Sequence, residues 1–207
     1  MTQQAFYFDG TRCTGCKTCV YACKDKNNTM NTGLAHRKVI EYTGGETNKD
    51  EAGCITTSCF SYTVSVSCNH CDNPVCMEMC PQGAIYKDPD TGIVWVNQEE
   101  CIGCGTCATA CPYGAPHVDP EAMKAVRCDG CADLVAAGEK PACVMACPAR
   151  ALDFGDVDAM AAKGERANIA PLPSADTTGP NLYIKAPGVA KEVDSTEGVI
   201  GNPLEIA

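Results

Sequence analysis

Aromatic side chains are scarce in this chain of 207 residues, at 6% with a single tryptophan. Long apolar runs are missing too: nothing approaches the ~18 consecutive apolar residues that cross a bilayer, so no membrane-spanning helix is expected. Positive charge is in deficit, with 16 Lys+Arg against 26 Asp+Glu and a formal charge of −10. A surface of that sign repels phosphate backbones, which excludes nucleic acid as a partner. The segment Met1 to Arg12 carries Asp9 and no apolar stretch, so no signal peptide is expected in this chain, and structural disulfides are not expected either. No G-x-G-x-x-G loop, Walker A run or H-E-x-x-H helix occurs, which removes dinucleotide, P-loop and zincin chemistry and leaves no candidate catalytic residue.

Cysteine is present in excess, 18 of 207 residues, a density met in disulfide scaffolds and metal-loaded proteins rather than in ordinary enzyme cores. Sixteen of the 18 fall into four sets of four. Cys13, Cys16, Cys19 and Cys23 are separated by two, two and three residues, as are Cys101, Cys104, Cys107 and Cys111. Cys68, Cys71, Cys76 and Cys80 are separated by two, four and three, and Cys128, Cys131, Cys143 and Cys147 by two, eleven and three. Pro81, Pro112 and Pro148 follow the last cysteine of three sets, whereas Lys24 follows Cys23.

Three thiolates spaced by two residues let a short loop wrap one corner of an iron–sulfur cube. The fourth, three residues on, points away and ligates the neighbouring cluster of a two-cluster unit, and a proline after it stops the helix. Structural zinc would need pairs of C-x2-C, which leaves the third cysteine of the first and third sets without a role. Disulfides would have to bridge cysteines three apart, against their geometry. The remaining pair, Cys54 and Cys59, reads as free thiols, since sixteen ligands complete four cubes.

Sets two and three are joined by a segment that reads as a hairpin, with Ala84-Ile85-Tyr86 and Ile93-Val94-Trp95-Val96 flanking the turn residues Asp88 to Gly92. Sets one and four can complete each other only if that unit is inserted between them. The expected fold is therefore α+β: two nested bacterial ferredoxin-like modules, the outer formed by 1–52 and 113–167, the inner by 53–112, followed by an extended C-terminal arm, 168–207. Strands are expected at Ala5 to Asp9, Lys38 to Tyr42 and Ser61 to Ser67. A short helix is expected over Asp156 to Lys163, capped by Asp156 and stopped by Gly164. The arm is rich in Gly and Pro; it is either disordered or, given Leu172, Leu182, Tyr183 and Ile184, laid on a partner subunit.

A globule of this length has a radius of gyration of about 17 Å. Four clusters across it stand roughly 10 to 15 Å apart, a spacing suited to electron transfer. His36 and His117 carry no motif. His70, inside Cys68-Asn69-His70-Cys71, has two readings: a donor to a cluster sulfur that raises its potential, or a loop hydrogen-bonder. Lys17, Lys24 and Arg127 likewise offset cluster charge or are simply solvated.

Several stretches resemble one family along nearly the whole chain: Cys13-Thr14-Gly15-Cys16-Lys17-Thr18-Cys19, Ser67-Cys68-Asn69-His70-Cys71, Cys111-Pro112-Tyr113-Gly114-Ala115-Pro116, Lys140-Pro141 before Cys143, Arg150-Ala151-Leu152-Asp153-Phe154-Gly155, and the tail pieces Ala170-Pro171-Leu172-Pro173 and Gly179-Pro180-Asn181. They are similar to the iron–sulfur subunit of dimethyl sulfoxide reductase-type molybdenum oxidoreductases. The resemblance implies a non-catalytic electron-transfer subunit of an anaerobic respiratory complex, between a quinol-oxidising integral membrane anchor and a catalytic subunit with a molybdopterin guanine dinucleotide cofactor. It implies four 4Fe–4S clusters: Cys13, Cys16, Cys19 and Cys147 for the first, which faces the catalytic subunit; Cys23, Cys128, Cys131 and Cys143 for the second; Cys68, Cys71, Cys76 and Cys111 for the third; Cys80, Cys101, Cys104 and Cys107 for the fourth, nearest the quinol side. In related nitrate reductase subunits a tryptophan matches Cys104 and that cluster has three irons, so the cysteine here implies a four-iron cluster. The complex would be membrane-associated, on a side left open because this subunit can be co-exported with a twin-arginine catalytic partner. The same role for a polysulfide, tetrathionate or arsenate reductase, a formate dehydrogenase or an aromatic dehydroxylase is the alternative, with a soluble polyferredoxin behind it.

Overall fold

The computed structural model describes residues 2–30 and 34–206. Met1 and residues 31–33, in the expected outer module, and Ala207, at the end of the expected arm, lie outside the described residues. The first third of the chain contains β1 (Gln4–Asp9), α1 (Thr18–Lys26), β2 (Arg37–Gly44), β3 (Thr47–Lys49), β4 (Ile55–Thr57) and β5 (Phe60–Ser67). The middle contains α2 (Val75–Glu78), β6 (Ile85–Lys87), β7 (Val94–Val96), α3 (Thr106–Ala110), β8 (His117–Asp119) and β9 (Lys124–Val126). Then come α4 (Ala132–Ala136), α5 (Ala142–Met145), β10 (Leu152–Asp156), α6 (Val157–Ala161), β11 (Glu165–Arg166), β12 (Leu182–Lys185), β13 (Gly198–Ile200) and α7 (Pro203–Ile206). The architecture is mixed α+β with short helices.

The main sheet is ordered β10-β1-β12-β11. Its centre is β1, which buries Ala5, Phe6 and Phe8. Antiparallel pairing sets Phe6 opposite Phe154 of β10, with ring centroids 4.7 Å apart. On the other edge β1 runs parallel to β12, Phe8 against Ile184. Such parallel pairing needs a long crossover, and here the crossover is nearly the whole chain. A second sheet, β13-β2-β5, pairs Arg37 with Ser67 at one end and Gly44 with Phe60 at the other. Tyr62, Val64 and Val66 point inward from β5, as strand alternation dictates. The hairpins β6–β7 and β8–β9 stand apart from both sheets.

Strand positions expected from the alternation agree with β1, β2, β5 and β7 to within a residue or two at their ends. The helix after Gly155 is shorter than expected, Val157–Ala161, and the Asp156 carboxylate caps it by accepting from the Asp158 N–H at 3.0 Å.

The C-terminal segment departs from expectation. Leu172, Leu182, Tyr183 and Ile184 are neither disordered nor laid on a partner: all four are buried in the chain's own core. The physical reason is the free edge of β1, whose backbone groups need partners once β10 has covered the other side. Tyr62 adds a tether by donating its hydroxyl to the Ala170 carbonyl at 2.6 Å.

Candidate metal centres

The folding of distant segments determines which cysteines meet. Pairing of β1 with β10, and packing of α1 on α5, bring the ends of the first and fourth sets together. One void is lined by Cys13, Cys16, Cys19 and Cys147 with Phe8, Val39 and Leu152. A second is lined by Cys80, Cys101, Cys104 and Cys107 with Ile85, Val96 and Ala125. Each void thus receives three cysteines from one set and the last cysteine of another. All 18 cysteines are free of disulfides. Among the described residues no three His, Cys, Asp or Glu converge tightly enough to hold a single metal ion. Thiolates on separate irons of a cube stand farther apart than the ligands of one tetrahedral zinc, whose Zn–S bonds are about 2.3 Å. The apolar walls and the thiol donor set fit iron–sulfur cubes.

The loops that carry the cysteines turn through left-handed backbone. Gly15 and Gly103, each at φ 68°, precede the second cysteine of their sets, and Lys17 (61°) and Gly105 (76°) follow it. Glycine pays no steric penalty there. Backbone N–H groups then point at sulfur: Ala125 to Cys101 at 3.3 Å, Ala151 to Cys147 at 3.2 Å and Gly130 to Cys128 at 3.4 Å. These donors stabilise thiolate charge.

Burial raises seven of the sixteen thiols above their ordinary pKa, Cys23 and Cys71 to about 12 and Cys128 well up. Hydrogen bonds to threonine lower the exposed Cys16 and Cys104, and among the buried thiols Cys68 alone goes down. Burial pushes it up, but Arg127, whose Nη2 lies 2.7 Å from the sulfur, together with the neighbouring His70, brings it down to about 5. The Arg127 Nη1 also reaches Cys76 at 3.3 Å. Of the two readings of Arg127, the solvated one therefore fails.

His70 is 1% exposed. Its Nδ1 accepts the Val94 N–H at 3.1 Å and stands 3.6 Å from the Cys68 sulfur. A nitrogen whose lone pair holds that N–H has no proton to give to sulfur. His70 is accordingly a loop hydrogen-bonder. His36 is buried and His117 meets the Ala35 carbonyl at 3.2 Å. Lys17 is paired with Glu41 at 3.0 Å and with Glu205, and Lys24 shares a groove with Lys17, Tyr21, Lys38 and Leu204. Cys54 and Cys59 lie exposed at the turn and exit of the β3–β4 hairpin, and Thr47 meets the Cys59 sulfur at 3.6 Å.

Sequence reasoning missed two groups. Thr178, 1% exposed, donates its hydroxyl to the Cys71 sulfur at 3.2 Å from a C-terminal segment read as an arm. Arg37, also buried, lies at the inner end of β2. Ser65 and Ser67, on the face of β5 opposite Tyr62, Val64 and Val66 and nevertheless buried, accept its hydrogen bonds.

Comparison with known proteins adds the decisive observation. Residues 59–157 match the family of 4Fe–4S dicluster domains and residues 11–31 the 4Fe–4S binding domain. The B subunit of the anaerobic dimethyl sulfoxide reductase of Haemophilus influenzae is 49% identical over all 207 residues, covering 100% of both proteins. The protein belongs to the iron–sulfur electron-transfer subunits of dimethyl sulfoxide reductase-type enzymes. The corresponding B subunit of Escherichia coli K12 is 45% identical over 99% of each protein. The thiosulfate reductase electron transfer subunit PhsB of Salmonella typhi is 39% identical over 75% of this chain and 77% of its own. As a member of this family the chain is a non-catalytic subunit that carries several 4Fe–4S clusters and works beside a catalytic subunit.

Proposed function

We propose that the chain holds four 4Fe–4S clusters and relays electrons from a quinol-oxidising membrane anchor to a molybdopterin catalytic subunit that reduces dimethyl sulfoxide or a similar acceptor during anaerobic respiration. The observation that carries this reading is the crossed lining of the two voids, Cys13, Cys16 and Cys19 with Cys147 in one and Cys101, Cys104 and Cys107 with Cys80 in the other. Crossing of that kind is what paired clusters require. By the same rule Cys23 joins Cys128, Cys131 and Cys143, and Cys111 joins Cys68, Cys71 and Cys76. The modules are nested: residues 53–112 form the inner one, and 1–52 with 113–167 the outer.

Bound clusters supply one-electron steps, and the chain's own residues hold them in line and keep water from the inner ones. Of the sixteen proposed ligands only Cys16 and Cys104 are exposed. Electrons therefore enter and leave at these two ends. Exposed apolar residues accompany both: Ile102 and Met123 at the Cys104 end, Tyr21 and Leu204 at the Cys16 end. Among the described residues no helix is long and apolar enough to cross a membrane, so attachment to the bilayer runs through the anchor. The full-length match to two dimethyl sulfoxide reductase subunits favours that enzyme over the partial match to a thiosulfate reductase subunit.

Cys104→Ser tests the assignment of ends. The account expects a three-iron cluster at that site, seen by electron paramagnetic resonance, and stalled quinol oxidation while a soluble donor still drives the catalytic subunit. Full quinol-linked activity with a three-iron signal would reverse the ends.

A further inference from the structure

Strand β2 begins with a charge placed where the fold has no water. Arg37 is 1% exposed and heads the fully buried side chains by volume. A guanidinium stays ionised at any pH the protein survives. Among the described residues its hydrogen bonds go to neutral groups: Nη1 donates to the Ser65 hydroxyl at 3.1 Å and to the Ser65 carbonyl at 3.5 Å, and Nη2 to the Ser67 hydroxyl at 3.0 Å. The Phe6 ring lies 4.6 Å away, and Nε has no partner. Among the described residues no carboxylate forms an ion pair with it.

A buried cation without a counter-charge is untenable, and the anions available here are thiolates. Arg37 feels Cys143 and Cys19 most, then Cys128 and Cys23. Geometry links it to one of them: the Ser65 oxygen that accepts from Arg37 stands 3.6 Å from the Cys19 sulfur. With a lone pair of that oxygen engaged by the guanidinium, the hydroxyl proton is free to point at sulfur. Cys19 belongs to the proposed first cluster and the other three cysteines to the second.

We propose that Arg37 is the internal counter-cation of the outer cluster pair, bonded through Ser65 to Cys19 of the first member, and that it raises the reduction potentials of both. The inference rests on the four-cluster reading. Reduction adds negative charge to a cluster, and a fixed cation in a low-dielectric interior stabilises the reduced form. Arg37 acts here as a positioning and electrostatic residue. The inner pair has its own cation in Arg127, which touches Cys68 and Cys76 directly, so the inner clusters serve as an internal reference.

The test is a potentiometric titration, followed by electron paramagnetic resonance, of the intact complex purified anaerobically through this chain. Wild type is compared with Arg37→Gln, Arg37→Lys and Ser65→Ala, each with its iron content measured. The account expects Arg37→Gln to lower two of the four midpoints while the other two stay in place, Arg37→Lys to restore part of the shift, and Ser65→Ala to lower one midpoint by less. Four unmoved midpoints at full iron content, an equal shift in all four, or a lysine variant as low as the glutamine variant would overturn it. Should Arg37→Gln lose iron, Ser65→Ala decides: an unmoved first-cluster midpoint overturns the proposal. A wild-type complex with fewer than four clusters would instead defeat the four-cluster reading, leaving the two failures distinct.

Discussion

Two loops in this chain are near copies, Cys13-Thr14-Gly15-Cys16-Lys17-Thr18-Cys19 and Cys101-Ile102-Gly103-Cys104-Gly105-Thr106-Cys107, and the rest of the fold treats them differently. Both pass through left-handed backbone at the third and fifth positions. In both, a threonine hydroxyl meets the exposed sulfur, Thr18 with Cys16 at 3.4 Å and Thr106 with Cys104 at 3.3 Å. At the fifth position one loop has glycine and the other lysine. A left-handed non-glycine residue costs about 1 to 2 kcal/mol. Lys17 offsets that cost with an attachment, since its ammonium reaches Glu41 of β2 and Glu205 of α7. The cysteine spacing sets the loop; what the loop is fastened to is set elsewhere. The first is clasped by the C-terminal segment, while the third-set loop rests on the β8–β9 turn.

The sharpest way to break the comparison is to remove the clasp. Truncation after Asn168 takes away β12 together with the buried Leu172, Leu182, Tyr183 and Ile184. Each buried aliphatic or aromatic side chain contributes about 1.5 to 3 kcal/mol, so the main sheet should not survive. Iron analysis of the truncated chain should show most of the metal lost, with the Cys101 to Cys107 site the last to go. Retention of all iron would mean that the tail is an accessory.

Next in size is a paired alanine scan of the two left-handed glycines. A Cβ on Gly103 would meet the Met123 carbonyl oxygen at 2.0 Å, a backbone atom that cannot step aside, whereas on Gly15 it would meet the Thr63 methyl at 3.1 Å. Gly103→Ala should therefore cost the complex about a quarter of this chain's iron. Gly15→Ala should keep its iron and lose about 1 to 2 kcal/mol of stability, measured by thermal melting under anaerobic conditions. Equal behaviour of the two would show that Gly103 has room the geometry denies.

A smaller effect comes from exchanging the fifth positions. Gly105→Lys acquires the strain without the carboxylates, and a loss of about 1 kcal/mol is expected. Lys17→Gly relieves strain but gives up two partly exposed ion pairs worth at most about 1 kcal/mol each, so its melting point should barely move while limited proteolysis after Asn202 becomes faster. Smallest of all is Cys54→Ser with Cys59→Ser. Both thiols are exposed on a hairpin whose strands are solvent-facing throughout, and iron content should not change; a drop would mean that one of them is a ligand.

Much of the architecture is legible in the sequence because ligand spacing and strand alternation are local. Cys13 to Cys23 and Cys101 to Cys111 announce their loops, and Tyr62, Val64 and Val66 announce β5. What stays hidden depends on contacts far apart in the chain. Leu182 to Ile184 read as part of an arm for a partner subunit until the free edge of β1 is seen to take them. Arg37 lies one residue outside the strand expected from Lys38 and carries no mark of its own, because the cysteines that act on it, Cys19, Cys23, Cys128 and Cys143, are scattered across two sets. His70, between two cysteines, has two readings, sulfur donor or loop hydrogen-bonder; the Val94 N–H, 24 residues on, favours the second. The hairpin β3–β4 shows no alternation at all, since both faces are exposed.

The central claim is that sixteen cysteines hold four cubes, and metal analysis of the complex tests it most directly. The tagged chain is purified anaerobically with whatever remains bound, and iron, acid-labile sulfide, zinc and molybdenum are counted per chain. The account expects about sixteen irons with matching sulfide beyond those of the partner, together with about one molybdenum. About eight irons, or zinc in place of iron, would contradict it.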